Sequence, residues 1–465
     1  METPAEAYHR LTSYSADRHW LEPVDDDRVR QDFIPLLPEA EPPPFKDYPS
    51  GLRRVALPEV PAAGAGAARL LSGTGTAGPG PGRAPTVGDL SAILARCAGR
   101  KRRSPRFRAV SSAGNRHPYE VYVCARDVRG LPDGVWHYDA RVHALTLVGP
   151  PPIGGATALV VAGVPWRSCW RYGERGYRHV GWDCGTVASH AVLAASAQGL
   201  SARLETAFDD AAVGSLIGAR DREEVPMVVV PLVDAAPAVT PSRPATPGDL
   251  GGGAEDFPLV VAVHEAGNLD GAAAVAGWRR HGVPGEPLRE PDGAGGDAFD
   301  AVVDRRTSAR RLDGTAAISA AAARWLLGVA SAPPPWDAGR LHEVTAVVHA
   351  VDGMAAGVHR PAADGPLWTQ PGSRDATCRA CLDQAAGRDA ALVVFVTPSP
   401  GPGIASQARA YRAALLAGGY ALGRTYLAAT VLGLGCCGLG FLDSALPGTI
   451  GSADALAAAA VGVRP

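Results

Sequence analysis

Two stretches of this chain repeat each other without a gap. Tyr177-Arg178, Gly185, Leu193-Ala-Ala195 and Gly199-Leu200 recur as Tyr411-Arg412, Gly419, Leu427-Ala-Ala429 and Gly433-Leu434, each pair 234 positions apart. An earlier set, Glu120-Val121, Gly130-Leu131 and Gly134-Val135, recurs 223 positions on as Glu343-Val344, Gly353-Met354 and Gly357-Val358. Solenoid units run to roughly 20–50 residues, so a repeat this long is a whole domain, copied and fused. Two related domains in one chain can form internally the two-fold interface that a homodimer forms between chains. A homodimer carries any interface site twice. Fused copies are free to let the two sites diverge.

The length of 465 residues accommodates two such domains and an N-terminal extension. Apolar residues make up 46%, enough for a core in each half. With 45 basic against 47 acidic residues the net charge is −2, which gives no reason to expect nucleic acid or a membrane surface as partner. No apolar run reaches transmembrane length, and Met1-Glu2-Thr3-Pro4 lacks a signal peptide's basic-then-apolar plan. A cytoplasmic location is expected. Eight cysteines in a chain this size do not make a disulfide scaffold. Cys378-Arg-Ala-Cys381 is a lone CxxC without the second pair that zinc requires, so no metal is expected.

Residues 1–60 are polar and proline-rich, an arm or extension outside the core, and residues 62–82 are small and flexible. Domain one spans residues 86–233. Helical spacing covers residues 87–95, strands are expected over 121–124, 158–162 and 227–232, and a long small-residue helix over 185–199. Residues 234–256 form an Ala-Pro and Gly-rich linker. Domain two spans residues 257–465, with strands over 259–263, 344–348 and 391–396, and helices over 318–329 and 419–433. Strands and helices without regular βαβ alternation predict an α+β fold.

Four segments could carry chemistry. Arg306-Thr-Ser308-Ala-Arg310 sets two guanidinium forks around a hydroxyl, a phosphate clamp or else a solvated basic lead-in to a helix. Ser111-Ser112-Ala-Gly-Asn115-Arg-His-Pro118 could let a flat ligand approach the backbone, or could be an ordinary turn into a strand. Trp170-Arg171-Tyr172-Gly-Glu-Arg-Gly-Tyr177-Arg178 either moves protons beside a reacting ring or forms a salt-bridged helix start. Gly433-Leu-Gly-Cys-Cys-Gly438-Leu-Gly440-Phe441 reads as a tight turn or a loop for close backbone approach. It is not the Rossmann GxGxxG.

Together these segments resemble the flavin-dependent nitroreductase superfamily, and domain one resembles its SagB-type azoline dehydrogenases of thiazole- and oxazole-modified peptide biosynthesis. Ser112-Ala-Gly-Asn115 through Pro118-Tyr-Glu-Val121 is similar to the family's flavin loop, Gly134-Val-Trp-His-Tyr-Asp139 to the hairpin that follows, and Tyr172-Gly-Glu-Arg-Gly-Tyr-Arg178 is the most specific match. The resemblance implies two fused nitroreductase-like domains forming an intramolecular pseudo-dimer with FMN at the seam. It implies a clamp of Arg306, Ser308 and Arg310 with Gly438 and Gly440 from domain two, and Ser111, Ser112 and Asn115 from domain one. The reciprocal site has Thr74-Gly-Thr-Ala-Gly-Pro-Gly80, Ala332-Pro-Pro-Pro335 and Ala202-Arg-Leu-Glu-Thr-Ala207 where these parts should stand. An unpaired buried phosphate is costly, so one FMN per chain is expected.

The activity so implied is oxidation of thiazolines or oxazolines to azoles in a ribosomally made peptide, with hydride passing to the flavin. The substrate would be a modified precursor peptide, and the partners cyclodehydratase proteins. Tyr172 is the candidate for proton transfer. Arg171 stands where the family has lysine, and arginine cannot serve as a base, but it can lower the Tyr172 pKa or hold an oxyanion. The alternative is an NAD(P)H-dependent reductase of a small molecule or dehydroamino acid. A flavin-free scaffold for leader peptide or cyclodehydratase is the third possibility.

Overall fold

A computed structural model describes residues 2–15, 41–59, 64–73, 83–101, 104–220, 222–251, 257–280, 285–291, 296–360, 367–400 and 404–465. The first half holds strands β1 (Arg54–Ala56), β2 (Arg100–Lys101), β3 (Ser104–Arg108), β4 (Tyr119–Ala125), β5 (Gly134–Asp139), β6 (Ala144–Gly149), β7 (Ala158–Gly163) and β8 (Val225–Pro231). The second holds β9 (His342–Val348), β10 (Gly357–Arg360), β11 (Leu367–Gln370), β12 (Leu392–Pro398), β13 (Gly435–Leu439) and β14 (Ala457–Gly462). One sheet runs β1-β6-β5-β4-β7-β8 and the other β11-β10-β9-β12-β14-β13. The five-strand nucleus is the same in both, and each inner pair is antiparallel, as in Tyr122 opposite Val160 and Val347 opposite Val393. The duplicated sequence has thus folded as a duplicated α+β domain.

Central strands such as β4 and β12 are rich in β-branched and aromatic residues, which suits strands covered on both faces. Each sheet is covered by a long central helix, Gly176–Ala197 in the first half and Ala408–Val431 in the second. These two helices pack on each other through glycines. A Cβ at Gly185 would lie 2.1 Å from the Leu416 carbonyl oxygen, and one at Gly419 would lie 2.0 Å from that of Trp182. Leu416 is the repeat counterpart of Trp182, so each helix makes the other's contact in return, the signature of a two-fold interface. The chain is an intramolecular pseudo-dimer, and a single hydrophobic cluster runs through both central helices.

Buried ion pairs follow the same pseudo-symmetry. Arg178 of the first central helix bonds Asp443 of the second half at 2.8 Å, and Arg412 bonds Asp210 of the first half at 2.6 Å. Beside each pair lies a short helix. The Arg178 Nη2 donates to the His9 carbonyl in helix Pro4–Leu11, and the Arg412 Nη2 to the His264 carbonyl in helix Pro258–Glu265. Tyr411 meets the His9 ring and Tyr177 the His264 ring.

These contacts correct three sequence readings. Residues 1–60 are not simply an arm outside the core, because Ala5, Tyr8 and Leu11 are buried and Lys46 pairs with Glu224 inside the first half. Residues 259–263 are helical rather than a strand. Their apolar run suggests β structure, but Leu259, Val260, Val263 and His264 form one buried helical stripe, and Pro258 sits where proline suits a helix start. Within residues 62–82, Ala67–Ser72 is a helix whose Leu71 is fully buried. The linker's first part, residues 234–251, lies bridged along the first half through Ile153 to Thr240 and Ala156 to Pro237, whereas residues 252–256 lie outside the described residues.

Candidate active site

The seam between the halves gathers most of the candidate residues. Helix Phe299–Arg305 ends at Arg306, whose Nε donates to the Ala109 carbonyl of the other half at 2.9 Å. Its guanidinium lies 5.4 Å from the centre of the Tyr426 ring. Ser308 pairs with Cys436 in a parallel bridge, and the Ala309 N–H donates to the Cys436 carbonyl at 2.8 Å. The Tyr426 hydroxyl accepts the Gly438 N–H at 2.6 Å and shares a hydrogen bond with the Ser308 Oγ 3.1 Å away, in which either hydroxyl can donate. Arg310 is exposed beside Cys437, whose thiol burial raises and Arg310 opposes. Arg306, Ser308, Arg310 and Gly438 therefore lie together. Gly440 follows just past the end of β13, where a Cβ would lie 2.9 Å from the Leu382 side chain. The glycine-rich segment is the edge strand β13 rather than a loop, since its glycines let it lie flat along β14.

The first half supplies the loop of residues 111–118 to the same seam. Gly114, Asn115 and His117 have φ values of 56°, 59° and 46°, a left-handed path costly for the two non-glycine residues. Side chains hold it: the Ser112 Oγ accepts the His117 N–H at 2.8 Å, and the Asn115 Oδ1 lies 2.9 Å from the His117 Nε2. Ser111, half-buried, leads into this path. A Cβ at Gly114 would lie 2.6 Å from the Tyr172 hydroxyl and 2.9 Å from the Arg171 Cδ, so both catalytic candidates sit directly on the loop. Tyr172 stacks on His179 with centroids 4.0 Å apart at 13°. Burial raises the Tyr172 pKa above that of an ordinary phenol, and the opposing pull of Arg171 does not overcome it. Arg171 lowers this pKa as expected, by less than desolvation raises it.

Sequence reading missed three contributors. Lys101 of β2 donates to the carbonyls of Asp304 and Arg306, and Arg96 forms an ion pair with Asp300, so the first half grips the helix that carries the clamp. No local motif marks them. Asp183 accepts the Ala113 N–H at 3.3 Å; it lies four residues from His179 on the central helix, a spacing that could have flagged it.

The reciprocal seam is closed. The Leu204 N–H donates to the Pro335 carbonyl at 2.9 Å, Leu204 and Trp336 pair in a parallel bridge, and Asp337 accepts both the N–H and hydroxyl of Thr206 and the Ala207 N–H. The two segments that should flank a ligand are joined to each other. Thr74 through Gly80 lie outside the described residues. In the open seam, the Arg306 Nη1 is buried and has no hydrogen-bond partner among the described residues. A buried guanidinium donor beside a seryl hydroxyl fits the phosphate of FMN, an anion with strong acceptor oxygens.

Residues 83–232 match the model of the Nitroreductase family. The chain is 29% identical over 141 residues to a nitroreductase-like protein of Methanocaldococcus jannaschii, a match that covers 27% of this chain and 70% of that protein. The whole chain superposes on the crystal structure of a nitroreductase-like protein from Anabaena variabilis with TM-score 0.75 and 23% identity, covering 100% of both chains. That likeness extends the nitroreductase fold to both halves. A chain of the E. coli microcin synthetase complex aligns over 33% of this chain and 65% of its own, at 22% identity and TM-score 0.30, too low to bear on substrate. Among the described residues of this two-domain nitroreductase fold, no helix is long and apolar enough to cross a membrane, and no three His, Cys, Asp or Glu side chains group as a metal site.

Proposed function

We propose that this chain is an FMN-dependent dehydrogenase that oxidises azolines to azoles in a ribosomally made peptide, with one composite FMN site in the open seam. The observation that carries the cofactor reading is the buried, unpartnered Arg306 Nη1 beside Ser308, facing the loop of the other half. FMN bound there would supply a two-electron acceptor. Arg306, Ser308 and Arg310 hold its phosphate, and Gly438 presents backbone close by. Ser111, Ser112 and Asn115 lie on the loop that seats the ring.

The azoline reading rests on the string from Tyr172 to Arg178 and on the placement of its first residue over Gly114. Tyr172 is the proposed proton-transfer group: burial keeps its phenol protonated, so it would first pass that proton to solvent or to the flavin side and then take the substrate's. Arg171, exposed at the same edge, remains a cation and stabilises negative charge that develops as the proton leaves. The substrate is a modified precursor peptide, delivered by cyclodehydratase proteins.

The test is spectroscopic. Purified protein saturated with FMN should bind about one flavin per chain. Anaerobic addition of a thiazoline-containing peptide should bleach the flavin band, while NADPH should not. Rapid bleaching by NADPH alone would replace this reading with a reductase of small molecules. A protein that never binds flavin would be a scaffold.

A further inference from the structure

Asp183 is fully buried on the central helix beneath the loop of residues 111–118. Its Oδ1 accepts the Ala113 N–H at 3.3 Å, and the adjacent Ser112 Oγ accepts the His117 N–H at 2.8 Å, so the carboxyl anchors the start of the left-handed path that Ser112 closes. Its Oδ2 is buried and has no hydrogen-bond partner among the described residues. An orphaned carboxylate oxygen in a dry site is costly, but a protonated carboxyl carries no net charge to desolvate.

We infer that Asp183 is a positioning residue for the cofactor's ring, acting as a neutral acid that fixes the loop and takes up a proton when the ring binds. This inference rests on the FMN reading above. Burial pushes the Asp183 pKa up to about 7, with Ser112 and Ala113 opposing. The titratable groups facing it are Tyr172 from the neighbouring helix, Tyr119 from β4, and Cys184 on its own helix, all of them raised by burial, while His179 one turn away is held neutral. Among the described residues no cation pairs with Asp183. A ring seated on the loop would exclude more water and raise the pKa further. Linkage then fixes the sign: the protonated form binds better, so FMN affinity falls as pH rises through 7.

The test measures FMN dissociation constants by flavin fluorescence on full-length protein between pH 7 and 9. Lys101, lowered by burial to about 8, also loses charge in this window, so the diagnostic quantity is the difference between wild type and Asp183→Asn. Wild type should weaken across the window by several-fold more than Asp183→Asn. Asp183→Ala should bind at least tenfold more weakly at pH 7, with Asp183→Asn restoring affinity to within about threefold of wild type. Equal slopes in wild type and Asp183→Asn, or tight binding by Asp183→Ala, would overturn the role of Asp183 while leaving the FMN site standing. No FMN uptake by wild type would overturn both. If Asp183→Ala does not fold, the comparison of slopes decides alone.

Discussion

Arg306 is committed at Nε and uncommitted at Nη1, and that division sets what its replacement should do. Arg306→Ala removes a fork that bonds the Ala109 carbonyl on one side and faces Ser308 on the other. Loss of a charged hydrogen bond to phosphate costs about 2–3 kcal/mol, so FMN affinity should fall roughly 30- to 150-fold, measured by fluorescence titration. Tyr172→Phe keeps the ring stack on His179 and removes only the hydroxyl. It should retain FMN and lose turnover by about 100-fold or more. Asp443 governs acid stability. Burial alone would raise its pKa, but Arg175 and Arg178 outweigh burial and hold it near 2, below the unfolded value of 3.8. Its stabilisation, about 2 kcal/mol by linkage, is present above pH 4 and lost as pH falls through 2. In Asp443→Asn, urea denaturation should show a loss of about 3 kcal/mol at pH 7, because two buried arginines lose their partner, with a flattened dependence between pH 4 and 2.

At the scale of elements, the helix Phe299–Arg305 belongs to the second half by sequence and to the first by its attachments. Arg96 pairs with its Asp300, Lys101 binds its C-terminal carbonyls, and Gly66 bridges Ala298. Arg96→Ala should therefore weaken FMN binding about tenfold although Arg96 is no part of the clamp, and the charge swap Arg96→Asp with Asp300→Arg should recover part of the loss. The strands β4, β7, β9 and β12 and both central helices were legible because their periodicity and composition agree with burial. Several elements were not, and two show why. Ala457–Gly462 is a strand with four alanines, a helix former by propensity. It is extended because it pairs on both sides, with β12 and with β13. Pro258–Glu265 looks like a strand in composition and is a helix because one stripe of it is buried. Both outcomes depend on a neighbour distant in sequence, which a local window does not contain. The clamp and the loop were legible as motifs, whereas Arg96 and Lys101 acquire meaning only once the halves are folded together, and Asp183 is marked in sequence by nothing more than its spacing from His179.

For the molecule as a whole, the repeat predicts a two-fold seam, and the reciprocal contacts of Gly185 and Gly419 realise it. Either glycine replaced by alanine would drive a methyl into backbone of the opposite helix. Because backbone cannot rotate away as a side chain does, a destabilisation of at least about 3 kcal/mol is expected from calorimetry or urea melts. The second seam is where the copies part company. Leu204 and Pro335 are laced to each other, and Asp337 stitches Thr206 and Ala207 to the same edge. With one seam laced shut and the other left with an unspent donor at Arg306, the fused pair should take up half the ligand that a symmetric pair of the same fold could hold, a ratio that equilibrium dialysis would count.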